Sequence, residues 1–257
     1  MKRKVLITGA SEGIGREFAH AFAKAGYQVY AVARNEARLR SLMAELGTAS
    51  HSYVVADLST DPGIEATAKI LIENPIDVLV NNAGFGGISQ FDQATKSSHL
   101  SMLNLNIESL VSLSHTFLQT AKRGAALVNV ASVLAFIPSP YHSVYAATKA
   151  FVRSFSLSLW SEQKARGVYV MALCPGSTMT EFNTRAGGSD DRIPSLLQQT
   201  SAVVVTEAMR ELERRVKPVV VTGFWNKLIT FATRFTPTGL LVDSIGKQNA
   251  RVGGVSL

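Results

Sequence analysis

Short runs of β-branched and aliphatic residues alternate with longer amphipathic stretches along most of the chain. Val5-Leu6-Ile7-Thr8 reads as a strand, and Ile14 to Ala25 as a helix closed by Gly26. Gln28–Ala33 is the next strand, and residues 35–46 carry Leu39, Leu42, Met43 and Leu46 at helical spacing. Further strands are predicted at Ser52–Ala56, Ile76–Val80, Ala126–Val130, Val168–Leu173 and Pro218–Thr222. Several are continuously apolar, the pattern of parallel strands covered on both faces. The longest helices are predicted at 98–121 and 143–165, both free of internal Gly and Pro. Alternation of this kind predicts an α/β fold, a doubly wound parallel sheet of about seven strands with helices on both faces and right-handed crossovers.

Two segments depart from the pattern. Asn183 to Thr200 holds Gly187-Gly188, Asp190-Asp191 and Pro194 without a clear period, so 183–200 is predicted to be a substrate lid. The tail 224–257 is an amphipathic extension, in which Trp225, Leu228, Ile229, Ala232 and Phe235 share one helical face. That face could dock on its own domain, pack against a partner subunit, or make peripheral membrane contact through 224–235. No repeat, low-complexity tract or linker divides the rest, and a single domain over 1–257 is expected.

Composition adds exclusions. With 46% hydrophobic and 18% charged residues the chain is neither disordered nor fibrous. One cysteine, Cys174, precludes a disulfide framework, and none of the five histidines shows metal-ligand spacing. No apolar run approaches the roughly 20 residues of a membrane span. Met1-Lys2-Arg3-Lys4 is followed by an apolar stretch that ends at Gly9, too short for a secretory signal. A cytoplasmic protein is expected. The formal charge of +7 comes from 26 scattered Lys and Arg without a recognition motif, so no nucleic-acid partner is expected.

The candidate chemistry begins where the first strand runs into Thr8-Gly9-Ala10-Ser11-Glu12-Gly13-Ile14-Gly15. Glycines there let the backbone turn tightly and approach a pyrophosphate, whose charge is met by amides at the helix N-terminus. At the end of strand two, a carboxylate would bond the 2′-hydroxyl of NAD and repel a 2′-phosphate. Ala33-Arg34-Asn35 stands there instead, with Arg38 one turn further on, which favours NADP(H) over NAD(H). The third group is Ser132, Tyr145 and Lys149. Tyr145 and Lys149 are four apart and share a helix face, where an ammonium would favour the phenolate and lower a pKa that is ordinarily near 10. Ser132 follows the strand Ala126–Val130, placed to hold a carbonyl oxygen. In isolation each of these is unremarkable: a strand–helix turn, a surface arginine, a surface Tyr/Lys pair.

Together they resemble the compact, single-domain short-chain dehydrogenase/reductase family. The match runs in order from Thr8-Gly9-x-x-x-Gly13-x-Gly15 through Asp57, Asn81-Asn82-Ala83-Gly84, Asn106, Ser132, Tyr145-x-x-x-Lys149 and Pro175-Gly176 to Thr180. The resemblance implies a Rossmann-type sheet and Asn106, Ser132, Tyr145 and Lys149 as the catalytic group. It implies cofactor contacts from Gly9, Ser11, Gly13, Ile14, Gly15, Arg34, Asp57, Leu58, Asn82, Ala83, Gly84, Tyr145, Lys149, Pro175, Gly176, Thr178 and Thr180. Asp57 would bond the adenine amino group, and Asn82 to Gly84 would line the adenosine ribose. Asn106 would hold a water linking Lys149 to solvent, and Pro175, Thr178 and Thr180 would seat the nicotinamide. Asn104 competes with Asn106, and the spacing to Ser132 favours Asn106. Glu12 departs from the pattern, since many NADP-binding relatives carry a base there.

The implied activity is hydride transfer between NADP(H) and a ketone/secondary alcohol pair. Phe85, Ile88, Phe91, Leu134, Phe136, Ile137, Pro138, Tyr141, Met179 and Phe182 are candidate pocket residues, which favours an apolar ketone or 3-oxoacyl thioester. The alternatives are a catalytically silent NADP-binding regulator or scaffold and a membrane-surface reductase of lipid ketones. A homodimer or homotetramer pairing through 98–121 and 143–165 is also implied.

Overall fold

The computed structural model describes residues 2–47, 50–180 and 194–253. Seven strands form one parallel sheet: β1 (Lys4–Thr8), β2 (Gln28–Ala33), β3 (Ser52–Val55), β4 (Val78–Asn81), β5 (Ala126–Val130), β6 (Tyr169–Cys174) and, after two short strands described below, β9 (Val219–Val221). Their order is β3-β2-β1-β4-β5-β6-β9, so the sheet grows one way from β1 and then the other from β4. This is the doubly wound, Rossmann-type arrangement expected of the alternating pattern.

Residue parity along each strand builds the two faces. Val5, Ile7, Val80, Val128 and Met171 meet α1 (Gly13–Lys24) and α2 (Glu36–Leu46) through Phe18, Phe22, Leu39 and Leu42. Leu6, Leu79, Leu127 and Val170 face the other way, toward α3 (Asp61–Glu73) and the helix that carries Leu113 and Phe117. α6 (Ser143–Gln163) covers β5 and β6 on that side. Because both faces are dry, the strands can be apolar throughout.

The helix predicted at 98–121 is interrupted. It divides into α4 (Lys96–Leu103), one turn of π-helix over Asn104–Glu108, and α5 (Ser109–Thr120). The Ser109 amide bonds back to Asn104 O, and its hydroxyl donates to Leu105 O at 2.6 Å. The wide turn accommodates one extra residue and turns the buried Asn106 toward α6.

Polar groups are buried where the strands end. Asn81 Nδ2 donates to Asn129 Oδ1 and Ser114 Oγ at 3.0 Å each, and Asn129 Nδ2 donates to Ser156 Oγ at 3.0 Å. The network ties β4, β5, α5 and α6 together just below the segments that carry Asn82 and Ser132.

Residues 181–193 of the predicted lid lie outside the described residues. On either side of them, β7 (Ser177–Thr178) pairs in parallel with β8 (Gln198–Gln199), so the end of the patternless stretch has order. α7 (Ser201–Arg214) then packs on α1 before the chain returns to β9. The tail forms α8 (Phe224–Ala232) and α9 (Thr238–Gly253). α9 docks on its own domain, where Asn249 Nδ2 donates to Ser139 Oγ at 2.9 Å and Pro140 O at 2.8 Å. Among the described residues no helix is long and apolar enough to cross a membrane.

Replacing Asn129 by Ala would leave the Asn81 amide and the Ser156 hydroxyl without their bridge in a dry interior. We expect a loss of about 2 kcal/mol or more in unfolding free energy. Urea unfolding measures it, and a change below about 0.5 kcal/mol would show that the network carries no stability.

Candidate active site

The site opens above the C-terminal ends of β1 and β4. Thr8 Oγ1 accepts from the amides of Asn82 and Ala83 at 2.9 and 3.0 Å, and Asn82 Nδ2 donates to Thr8 O at 2.9 Å and Gly9 O at 3.2 Å. Two side chains therefore stitch the glycine loop to the end of β4. The stitch requires glycine. Gly9 has φ +64°, and a Cβ on it would stand 2.8 Å from Asn82 Nδ2; a Cβ on Gly15 would stand 2.2 Å from Gly9 O. Asn82, which the resemblance assigns to lining a ribose, has its amide donors committed to this loop.

Helices α2, α3, α4 and α7 each begin with a side-chain cap, from Asn35, Thr60, Thr95 and Thr200. α1 begins with none, because the Glu12 side chain does not bond its first turn. Uncapped amides behind a cradle that excludes Cβ atoms suit a pyrophosphate, so the residues present fit a dinucleotide. Gly13, also left-handed at φ +52°, closes the cradle against Thr180, whose Cγ2 would lie 3.1 Å from a Cβ there. The chain after β6 thus reaches back to the loop after β1. Thr178 lies behind it, with Oγ1 donating to Gly176 O at 3.1 Å, and Pro175 O accepts from the Val133 amide at 2.9 Å.

Arg34 follows β2 and stands open to solvent, 3.8 Å from Asp57 Oδ2. Burial pushes the Asp57 carboxyl up, but the Ser59 amide and hydroxyl at 3.0 and 2.7 Å, with the Arg34 guanidinium, hold it below its ordinary value. Leu58 is buried in the core, so only its backbone can face a ligand. Glu12 pairs with Arg38 across the mouth of the cradle, which neutralises the acid that breaks the family pattern.

At the other end, Tyr145 and Lys149 are buried on α6, and the Ser132 hydroxyl hydrogen-bonds to Tyr145. Lys149 Nζ donates to Val130 O at 2.8 Å and lies 5.7 Å from the centre of the Tyr145 ring. Burial pushes the phenol up to about 12, countered only by the Ser132 hydrogen bond. The lysine is pushed down to about 8, also by burial, with the Cys174 side chain acting the other way. The lysine was expected to lower the phenol's pKa. In the protein alone desolvation is the larger effect on both groups.

Asn106 holds the loop after β4. Its Nδ2 donates to Phe85 O at 2.9 Å and Thr148 Oγ1 at 3.1 Å, and its Oδ1 accepts from the Phe85 amide at 3.1 Å. A Cβ on Gly84 would stand 2.9 Å from Asn106 Oδ1 and 3.4 Å from Lys149 Nζ, so both polar ends face the same small space. Of the two asparagines in the wide turn, Asn106 is the buried one.

A family model described as short chain dehydrogenase matches residues 3–190. The chain belongs to that family. It is 36% identical over 215 residues to serine 3-dehydrogenase of Rhizobium radiobacter, covering 80% of this chain and 85% of that one. It is 34% identical over 216 residues to sulfoacetaldehyde reductase of Chromohalobacter salexigens, covering 81% and 85%. Among solved structures it resembles the short-chain dehydrogenase of Sphingobium yanoikuyae in complex with NADPH, at 34% identity and a TM-score of 0.79, covering 85% of this chain and 87% of that one. The protein is thus an oxidoreductase of the kind that acts on CH–OH groups with a nicotinamide cofactor.

The structure of this short-chain dehydrogenase also brings in residues that the sequence pattern did not. His142 was expected near Tyr145 only along the chain, yet their ring centres are 6.4 Å apart. Burial holds the imidazole below its ordinary pKa, against the opposing effect of a hydrogen bond with the Gly87 backbone. The Ser89 amide donates to Tyr141 O at 3.0 Å, and Tyr141 itself adopts φ +65°. Asn249 reaches the same loop from α9. Conversely, Phe136 belongs less to the pocket than to the far side, where the Arg153 guanidinium lies 4.3 Å over its ring. Phe91 is exposed and stacks on His99 at 4.8 Å, Met179 is exposed, and Phe182 lies outside the described residues.

Gly15→Ala would drive a methyl group into Gly9 O and open the cradle. We expect dinucleotide affinity to fall by about tenfold or more, since both loop glycines hold the amides in place. Titration of protein fluorescence with NADPH measures this, and unaltered affinity would show that the loop does not carry the phosphates.

Proposed function

We propose that this dehydrogenase is an NADP-dependent reductase of an apolar ketone or 3-oxoacyl thioester. The observation that carries the reading is the buried Tyr145, hydrogen-bonded to Ser132 and within reach of Lys149.

The cradle of Gly9, Ser11, Gly13, Ile14 and Gly15 would hold the pyrophosphate, and Arg34 the 2′-phosphate. Asp57, the Leu58 backbone and Asn82 to Gly84 would meet the adenosine, and Pro175, Gly176, Thr178 and Thr180 the nicotinamide. The cofactor supplies the hydride for carbonyl reduction. Ser132 orients the carbonyl oxygen and stabilises the charge that develops on it. Tyr145, kept a neutral phenol by burial, gives its proton to that oxygen and becomes a phenolate. The Lys149 ammonium stabilises the phenolate and returns a proton to it. The space shared by Lys149, Asn106 and Gly84 would hold the water through which the lysine is recharged. The side chains expected on the substrate side, among them Leu134, Ile137 and Pro138, are uncharged, and His142 is neutral near pH 7, which supports an apolar substrate. A second reading is favoured by the relatives named for serine and sulfoacetaldehyde, in which the substrate is small and polar. Exposed Phe151, stacked on Phe155 at 5.7 Å along α6, supports the pairing of subunits through that helix.

Oxidation of NADPH, with NADH in parallel, against 3-oxoacyl thioesters of increasing chain length, simple apolar ketones and small polar aldehydes tests the reading. Turnover rising with chain length and preferring NADPH is expected; turnover confined to small polar carbonyls would favour the second reading. Tyr145→Phe should still bind NADPH but lose reduction by about 10²–10⁴-fold. Unchanged reduction in that variant would sink the mechanism.

The pH profile follows from the two shifts. Tyr145, at about 12, stays protonated throughout, whereas Lys149 must carry its proton and loses it near pH 8. Reductive kcat/KM should therefore hold below about pH 8 and fall tenfold per pH unit above it. In Lys149→Met the activity should be low and that limb absent.

A further inference from the structure

α8 presents its apolar side to solvent. Its polar residues face inward: Asn226 and Thr230 are buried, Asn226 Nδ2 donates to Thr222 O at 3.0 Å and Gln199 Oε1 at 3.4 Å, and Thr230 Oγ1 donates to Asn226 O at 2.8 Å. Phe224, Trp225, Leu228, Ile229, Phe231 and, just past the helix, Phe235 are instead exposed, by 41–74%. At about 100° per residue they fall on one continuous arc. Such a stripe is ordinarily the buried one, and a contiguous apolar patch marks a contact surface.

One rim of this arc is cationic. An open groove of about 380 Å³ runs between α7 and α8 along β9, lined in part by Arg210, Arg214, Lys217 and Arg234. Phe231 lines it too, so groove and arc are continuous. Its two acids are already engaged. Glu207 accepts from the Gly223 amide at 2.9 Å and Lys227 Nζ at 2.6 Å, while buried Glu211 accepts from the amides of Val216 and Lys217 at 2.8 and 2.7 Å. Among the described residues no acid pairs with Arg210, Arg214, Lys217 or Arg234.

We propose that α8 and this rim dock on an anionic lipid bilayer, with the aromatic arc in the interface and the guanidinium groups against headgroup phosphates. A second copy fits less well, because the acids of this region, Glu207 and Glu211, are already bonded within the chain and would not meet the open guanidinium groups of the rim. The inner, polar side of the docked helix packs against the active site. A Cβ on Gly176 would stand 2.1 Å from Asn226 Nδ2, and α8 packs on the turn Val133–Phe136 that follows Ser132. Docking therefore brings the site beside the bilayer, where an apolar carbonyl dissolves. Only this last step rests on the proposed substrate; docking does not.

The full chain is floated with phosphatidylcholine vesicles and with vesicles of phosphatidylcholine and phosphatidylglycerol, without cofactor or substrate. Trp225 emission is followed in a Trp160→Phe background. Binding about tenfold stronger to the anionic vesicles and a blue-shifted Trp225 are expected. Phe231→Glu, and separately the double change Arg210→Glu with Arg214→Glu, should each weaken binding by about tenfold at an unchanged thermal midpoint. Failure to float with either vesicle, or equal binding to both, overturns the proposal. So does light scattering that shows a dimer which Phe231→Glu splits to monomers. No readout involves turnover, so failure here leaves the reductase reading to its own test.

Discussion

Between β1 and β4 the chain leaves the sheet in opposite directions, so a crevice remains above these two strand ends. The seam beneath it must nevertheless be closed, and Thr8 and Asn82 close it with side-chain hydrogen bonds to each other's backbone. That closure brings two backbones so near that only glycine fits at positions 9 and 15. The same closeness aims the first amides of α1 upward and fixes where the chain resumes after Asn82. From there Phe85 is held by Asn106, and Asn106 by Thr148, one residue before Lys149. The phosphate cradle and the proton-carrying residues are thus two ends of one bonded path.

Burial does different work on the two groups at its far end. Desolvation disfavours charge on either. For a phenol that means holding the proton, and for an amine it means releasing it more readily. Tyr145 and Lys149 are driven toward neutral forms together, and the protein meets this with few dipoles: the Ser132 hydroxyl for one, the Val130 carbonyl for the other. The buried amide and hydroxyl network of Asn81, Asn129, Ser114 and Ser156 supports both from below without adding charge.

Much of this was legible from residue type and spacing. Continuous apolar runs gave away a sheet covered on both faces, and the spacings within Gly9–Gly13–Gly15 and within Tyr145–Lys149 are short enough for one turn and one helix face to fix each group. What was not legible depends on distance in sequence or on backbone detail. Asn-Leu-Asn-Ile-Glu at 104–108 has the propensities of an ordinary helix, and nothing in it announces a wider turn. Asn249 lies 109 residues from the Pro140 carbonyl it bonds, and no local pattern encodes such a contact. His142 is three residues from Tyr145, a spacing shared by neighbours and non-neighbours alike until the helix start is fixed. In the tail, the shared apolar face of Trp225, Leu228 and Ile229 could be read, but not which way it turns. That orientation is set by Gly176, Gln199 and Thr222, which accept the polar side instead.

The wide turn at Asn104–Glu108 makes this stretch of chain one residue too long for a uniform helix. Winding all of its residues as uniform α-helix would swing α4 about 100° around its axis relative to α5, whereas removing one residue there would let the helix heal with α4 and α5 in about their present phase. Helix content would be preserved, yet the buried asparagine would lose its place opposite Thr148. An added exposed residue in the loop before α4 has no such effect on Asn106. The segment therefore reads length differently at its two ends: counting matters inside the turn and hardly at all before it.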